Sequence, residues 1–359
     1  MHLGLDQIME AYHASFHNRN IINRQAKISE QGLKFKVISL LYNLLLLVKV
    51  FIALFQKRLN SKERIFVSWS PLHSKLAKKI GEENVIEIKM GLHDDQTALY
   101  KSVSVVKAFQ AARLVTTMNS KREITGFDNF FFAFAFGLES QMIFNLIRNS
   151  RNVLMAGQVD RFSILLSVLC RDMGKHFTFV QHGVNNQFDN LYKLRVDEIY
   201  YLFEISIPFF GCFVLEADKQ IYKPIPQVKP NFEVCDTYEN AIAFASQFMV
   251  EDLRILDVLI EHWKHGDILI YPHPTEKNLD YFRKYTAVSN VHITSKRIKN
   301  IKYIFSSGST LGMEYDLIGV VPVFINLHKI SSEIFLSQKY ICFNDIDSFQ
   351  EWFVSEAKK

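Results

Sequence analysis

From Arg64 onward the chain alternates short runs of β-branched and aromatic residues with segments of helical period. Parallel strands need a crossover of a dozen or more residues between them, usually a helix, so this alternation restricts the fold to parallel sheets built from βαβ units. The apolar runs predict strands at 65–70, 84–90, 152–156, 177–180 and 197–202, with helices at 72–80, 129–147 and 162–173. A second series predicts strands at 241–247, 268–271, 291–294, 301–305 and 321–325, with helices at 251–263, 279–285, 310–318 and 348–357. Between the two series, 221–237 holds Pro224, Pro226 and Pro230 among few periodic apolar positions and reads as a connection. With 359 residues there is material for two cores. The expected fold class is α/β: two doubly wound Rossmann-like domains facing a cleft, over 61–225 and 226–359, after a helical segment over 1–60. Ligands of such sheets bind beyond the carboxyl ends of the strands, which makes the cleft the expected site.

Residues 37–55 are the longest apolar run, bounded by Lys34 and Lys36 before it and by Lys57 and Arg58 after it. The length suffices for a membrane span. Ser39, Asn43 and Lys49 interrupt the run, and at ~100° per residue they share one arc with Lys36, Gln56 and Lys57, the pattern of an amphipathic helix. A charge at mid-span costs roughly 2.5–3.5 kcal/mol to insert. Three readings stay open: a core helix turning its polar stripe to solvent, a helix lying in the plane of a membrane surface, and a span. A signal peptide is excluded by the mixed, polar residues that precede the run and by the lack of a small-residue cleavage site.

Hydrophobic residues at 48% and charged residues at 22% exclude a disordered, collagenous or coiled-coil chain. The formal charge of +5 is too small to demand a nucleic-acid partner, though it suits an anionic ligand or lipid surface. Cys170, Cys212, Cys235 and Cys342 show no CxxC spacing and read as reduced thiols of a cytoplasmic protein.

The chemistry-bearing motifs each follow an apolar strand. The strand at 177–180 delivers Gln181-His182-Gly183, that at 268–271 delivers Pro272-His273-Pro274, and that at 301–305 delivers Ser306-Ser307-Gly308-Ser309-Thr310. Hydroxyls and free N–H groups at a helix start favour an anion, so Ser307, Gly308, Ser309 and Thr310 read as a phosphate cradle, or else as a serine-rich cap. Glu314, one turn on, is placed to reach a ribose or its own cap. The prolines around His273 stiffen its turn, and a protonated imidazole there would meet the oxygen of a leaving phosphate. His182 precedes a glycine that permits close backbone approach and is a candidate base, as are Asp160, Asp189 and Asp197, with Asp160 nearest a strand end. Pro274 and Glu276 complete the candidate donor-binding set. Asp345-Ile346-Asp347, the one DxD-like pattern near a terminal helix, reads as a cap rather than a metal motif.

In this order, with Glu314 and Gly319-Val320-Val321-Pro322 behind them, the motifs resemble those of GT-B glycosyltransferases of bacterial surface-polysaccharide synthesis. The HP turn and the serine/threonine loop look like those of bacterial sialyltransferases and polysialyltransferases. HG followed by HP looks like the glycerophosphotransferases of teichoic-acid synthesis that use CDP-glycerol. The likeness covers 64–326; it departs from the two groups at Asp94-Asp95, followed by Gln96, and at Gly183, followed by Val184. The resemblance implies a GT-B-like fold and metal-independent transfer of a sugar or polyol phosphate from a CMP- or CDP-type nucleotide-activated donor. It implies a capsular, lipopolysaccharide or teichoic-acid-like glycan or lipid-linked acceptor, with no cofactor beyond the donor. It also implies donor contacts from His273, Ser309 and Thr310, ribose contact from Glu314, and His182 at the reacting centre. With the apolar run, the expected location is the inner face of the cytoplasmic membrane. Two competing functions are a sugar-nucleotide 2-epimerase of similar fold and a non-catalytic scaffold of a polysaccharide-assembly complex.

Overall fold

The computed structural model describes residues 3–16, 32–56, 62–68, 71–87, 97–118, 126–156, 161–183, 194–215, 221–226, 232–234, 238, 240–247, 252–273, 279, 282, 284–329 and 332–358. The chain divides into two compact units. One comprises Met1–His182, Phe188–Leu202 and Phe210–Pro226; the other comprises Gly183–Gln187, Phe203–Phe209 and Gln227–Lys359.

The first unit is built on a six-stranded parallel sheet of β1 (Arg64–Ser68), β2 (Val85–Glu87), β3 (Asn152–Met155), β4 (His176–Val180), β6 (Glu198–Tyr201) and β8 (Ile221–Pro224), ordered β2-β1-β3-β4-β6-β8. A separate ladder joins β5 (Leu194–Arg195) to β7 (Val214–Leu215). Central strands such as β3 and β4 are buried from their second residue on, which is why they stand out as unbroken apolar runs. The first four residues of the stretch expected to be a connection form β8, whose Glu198↔Ile221 to Tyr201↔Pro224 register adds a sixth strand, and the chain passes to the second unit after Pro226, within that stretch. All four of its side chains are exposed, and an edge place tolerates Pro224, so no apolar alternation announces it.

The helices of this unit are α1 (Leu5–Phe16), α2 (Gly32–Ala53), α3 (Pro71–Lys79), α4 (Val105–Met118), α5 (Gly126–Ile147) and α6 (Arg161–Asp172). Arg171 on α6 forks onto the Glu10 carboxylate of α1 with two 2.9 Å bonds. Gly137 lets α5 press onto α4: a Cβ there would stand 2.9 Å from Ala108 Cα. Within α5, Phe130–Ile147 is long and apolar enough to cross a membrane, yet 78% of it is buried inside the protein, which makes it a core helix of this unit.

The polar stripe of α2 is oriented opposite to the reading of a core helix that turns it to solvent. Ser39, Asn43 and Lys49 are buried, and Tyr42 donates to the Glu139 carboxylate of α5. Burial lowers the Lys49 pKa while the charge of Glu139 pulls it back up. Glu139 is itself buried in the middle of α5, and a buried charge needs partners. The stripe supplies them, and the apolar side chains of α2 are left outside.

The second unit carries a six-stranded parallel sheet of β9 (Ala241–Ala245), β10 (Ile268–Tyr271), β11 (Val291–Ile293), β12 (Ile301–Ser306), β13 (Val321–Ile325) and β14 (Ile341–Phe343), ordered β11-β10-β9-β12-β13-β14. Its helices are α7 (Asp252–His262), α8 (Thr310–Asp316), α9 (Glu333–Leu336) and α10 (Ile346–Ala357). Ile242, Phe244 and Phe305 pack with Leu256, Trp263, Phe349 and Phe353 on one face, while Ala243, Leu269 and Ile304 pack with Tyr315 on the other. Asp345 caps α10 by accepting from Ser348 N at 2.8 Å, as its sequence position suggests. The helix expected at 279–285 lies largely outside the described residues.

Candidate functional site

In chain order the second sheet runs third, second, first, fourth, fifth, sixth, so its strand order reverses between β9 and β12. A doubly wound sheet opens a crevice at that reversal, beyond the carboxyl ends of its strands. The residues there are Ser246 and Gln247 after β9, and Ser306 to Thr310 at the end of β12. His273 follows β10, on the other side of β9. Two strand spacings of about 4.8 Å separate β10 from β12, so the imidazole turn and the hydroxyl loop share one edge of one sheet.

The loop is held by its own serines. Ser306 Oγ accepts from the N–H of Gly308 at 3.3 Å and of Ser309 at 3.0 Å, folding the chain back at Gly308, whose φ is +120°. Ser309 is the N-cap of α8 and accepts from Leu311 N at 3.2 Å. Ser307 is buried and donates to Asp252 Oδ1 at 2.5 Å, while Asp252 Oδ2 accepts from Gln247 N at 2.7 Å. One carboxylate therefore ties together the ends of the two strands that flank the reversal. Thr310 Oγ1 makes no hydrogen bond among the described residues, and a Cβ on Gly183 would stand 3.6 Å from it. Glu314 is ion-paired with Arg297, so a ribose would meet it as half of a charge pair. Burial lowers the His273 pKa, which favours the neutral imidazole until an anion arrives.

In the first unit the order reverses between β1 and β3. His73, in the first turn of α3 after β1, and His182, two residues past β4, meet over the end of β3 with ring centroids 5.1 Å apart, edge to face. Burial pushes the His73 pKa down to about 4, with the His182 ring adding to the effect, and burial lowers His182 as well. Both rings are neutral near pH 7. His182 Nδ1 is sealed from solvent and finds no hydrogen-bond partner among the described residues. Gln181, just before it, accepts from Leu202 N at 2.7 Å and fixes the turn to β6. Ser68 Oγ, at the end of β1, and Ser74 Oγ, next to His73 on α3, lie 3.1 Å apart.

The chain is similar to solved glycosyltransferase structures. It resembles a lipopolysaccharide outer core galactosyltransferase, WaaB, at 11% identity over 83% of this chain and 92% of that one, with a TM-score of 0.41. MurG of Acinetobacter baumannii shares 8% identity over 82% and 91% of the two chains at a TM-score of 0.43. The wall teichoic acid polymerase TagF shares 8% over 93% and 91% at 0.41. No family model matches the chain, and no curated protein does. At such identities and TM-scores these likenesses carry no weight for function; the fold class stands on the two parallel sheets, and the chemistry on the residues at their edges.

Of the candidate residues, Ser307, Gly308, Ser309, Thr310, Glu314 and His273 fall on the edge of the second sheet, with Gly183 packed in the same unit. His182 falls on the edge of the first sheet. Asp160, Pro274 and Glu276 lie outside the described residues, as does Asp189. Asp197 stands at the other end of its sheet: it accepts from Phe177 N at 2.8 Å near the start of β4, far along the strand from His182. His73, Asp252 and Arg297 are the residues that the motifs leave out. The signal for His73 is present all the same, because it follows an apolar strand within a few residues, as His182 and His273 do. Among the described residues no group of three or more His, Cys, Asp or Glu is placed to hold a metal ion.

Proposed function

We propose that the protein is a GT-B-type transferase that moves a sugar, or a polyol phosphate, from a nucleotide-activated donor to a hydroxyl of a cell-surface or lipid-linked glycan. One observation carries this reading: His273 and the Ser306–Thr310 loop stand on the same carboxyl edge, either side of β9 and next to the strand-order reversal. In this reading the second unit holds the donor, with Thr310 Oγ1 and the His273 imidazole donating to its phosphate oxygens. Ser306, Ser307 and Ser309 keep the loop in shape.

In sugar transfer one bond to the anomeric carbon forms as another breaks. His182 Nε2 takes the proton of the acceptor hydroxyl as its oxygen bonds to the anomeric carbon, and the bond from that carbon to the donor phosphate oxygen breaks with its electron pair on phosphate. The added negative charge on the leaving phosphate is what Thr310 and His273 meet, and it raises the proton affinity of an imidazole that burial had left neutral.

The test uses purified protein with CMP-, CDP-, UDP- and GDP-activated donors and a glycan acceptor. Acceptor-dependent release of free nucleotide is the expected result, with one nucleotide raising the melting temperature by mass action. Interconversion of the sugar nucleotide without release would make the protein an epimerase, and neither activity on any donor would leave it a scaffold.

A further inference from the structure

Every exposed side chain between residues 37 and 55 of the α2 segment is apolar: Val37, Ile38, Leu40, Leu41, Leu44, Val48, Phe51, Leu54 and Phe55. At ~100° per residue they cover an arc of roughly 200°, more than half the helix circumference. Phe51 is 64% exposed and Phe55 78%, where aromatic rings of a folded chain are ordinarily covered. The opposite arc is fixed to the rest of its unit. Tyr42 binds Glu139 of α5, and Lys101 Nζ donates to Gln56 O at 2.7 Å at the helix end. The apolar face is therefore presented to the outside by a helix that cannot roll to hide it.

We propose that this face of α2 is a membrane-docking surface that lies in the plane of an anionic bilayer. The argument for lipid is charge. From residue 31 to residue 62 the sequence has no Asp or Glu, while Lys34 and Lys36 precede the apolar arc and Lys57, Arg58 and Lys62 follow it. A second copy pairing along this helix would bring basic ends against basic ends in either direction, parallel or antiparallel. It would also lack the polar rim that protein interfaces carry. An anionic leaflet offers both what the arc needs and what the ends need: acyl chains for Leu41, Leu44 and Phe51, and headgroup phosphates for the flanking cations. A span is disfavoured because Lys49 is buried on the inner side of the helix, where Tyr42 is bonded to Glu139 of α5. The inference stands on this helix alone and does not depend on the transferase reading.

Flotation of the full chain with vesicles tests it, using phosphatidylcholine alone and phosphatidylcholine mixed with phosphatidylglycerol. The protein is expected to float with the mixed vesicles and much less with the neutral ones. A triple variant, Leu41→Glu, Leu44→Glu and Phe51→Glu, is expected to stay in the aqueous fraction with unchanged circular dichroism, because about half or more of each of those side chains is exposed. Should the triple variant fail to fold, a second variant keeps the question open to decision. Neutralising Lys34, Lys36, Lys57 and Arg58 to Gln should lower affinity for the mixed vesicles by roughly fivefold per charge, and leave the weak binding to neutral vesicles in place. Wild-type protein that never floats would overturn the proposal. So would a sedimentation result in which the wild type is a dimer and the triple variant a monomer, since the face would then belong to a second copy.

Discussion

The carboxyl edge of the first sheet brings two buried imidazoles together, whereas that of the second is lined by hydroxyls already bonded to backbone N–H groups and to one buried carboxylate. Both edges sit where the strand order of their sheet reverses. They differ in what they do to a charge. Burial around His73 and His182 disfavours the imidazolium, so that edge suits accepting a proton only transiently. In the Ser306–Thr310 loop Thr310 Oγ1 makes no hydrogen bond among the described residues, so that edge keeps a hydroxyl donor for an anion. On the proposed reading the same βαβ scaffold supplies a base on one sheet and a phosphate-binding loop on the other, and single substitutions should separate the two roles.

The largest effect is expected at His182. His182→Ala should lower kcat for acceptor glycosylation by about 10²–10⁴, the range for a general base, while the melting-temperature rise given by the donor nucleotide stays intact. A variant that loses nucleotide stabilisation but keeps turnover would reverse the assignment of the two edges.

His273→Ala should cost about 10²-fold in kcat, as for one lost donor to developing charge, and unlike His182→Ala it should also shrink the nucleotide-induced rise in melting temperature. Thr310→Val is expected to act in the same direction. Turnover within a few-fold of wild type in both variants would detach the second sheet from catalysis.

Ser307→Ala separates loop architecture from ligand contact. The hydroxyl is buried and bonded to Asp252, so its loss should cost about 1–3 kcal/mol of stability in urea unfolding. Donor affinity per folded molecule should hardly change. A large fall in affinity at unchanged stability would return Ser307 to the set of ligand contacts.

This contrast marks how far the sequence is legible. The strands of both sheets were readable because buried parallel strands such as Ile268–Tyr271 are unbroken apolar runs, and their motifs follow within one to three residues. What escaped depends on contacts distant in sequence. Nothing near Ser307 in the chain announces Asp252, 55 residues earlier. The 97 residues between Tyr42 and Glu139 likewise hide the reason why the polar stripe of α2 turns inward, since hydropathy gives the arc but not which side the core lies on. β8 escaped because an exposed edge strand ending in proline has neither the alternation nor the burial by which strands are recognised. The histidine pair escaped for a different reason: His182 was legible from its strand, and its partner obeys the same rule after β1, but only the fold shows that the two strands flank β3.

That pair gives the smallest and most specific expectation, a slope in stability against pH. In the unfolded chain the His73 imidazole titrates at its ordinary 6.5, and in the folded protein at about 4. Between those values the unfolded state binds more protons, so the contribution of this site to stability is complete above pH 6.5 and is lost as the pH falls toward 4. His182 shifts in the same direction for the same reason, burial, and adds to the slope. His73→Asn should therefore flatten the decline in melting temperature between neutral and acidic pH without abolishing it, and should leave the nucleotide-induced stabilisation of the second unit untouched. If the variant and the wild type lose stability in parallel as the solution is acidified, the two rings are not held neutral by burial. The proton-accepting character assigned to the first sheet's edge would then have to come from the solvent side of His182 alone.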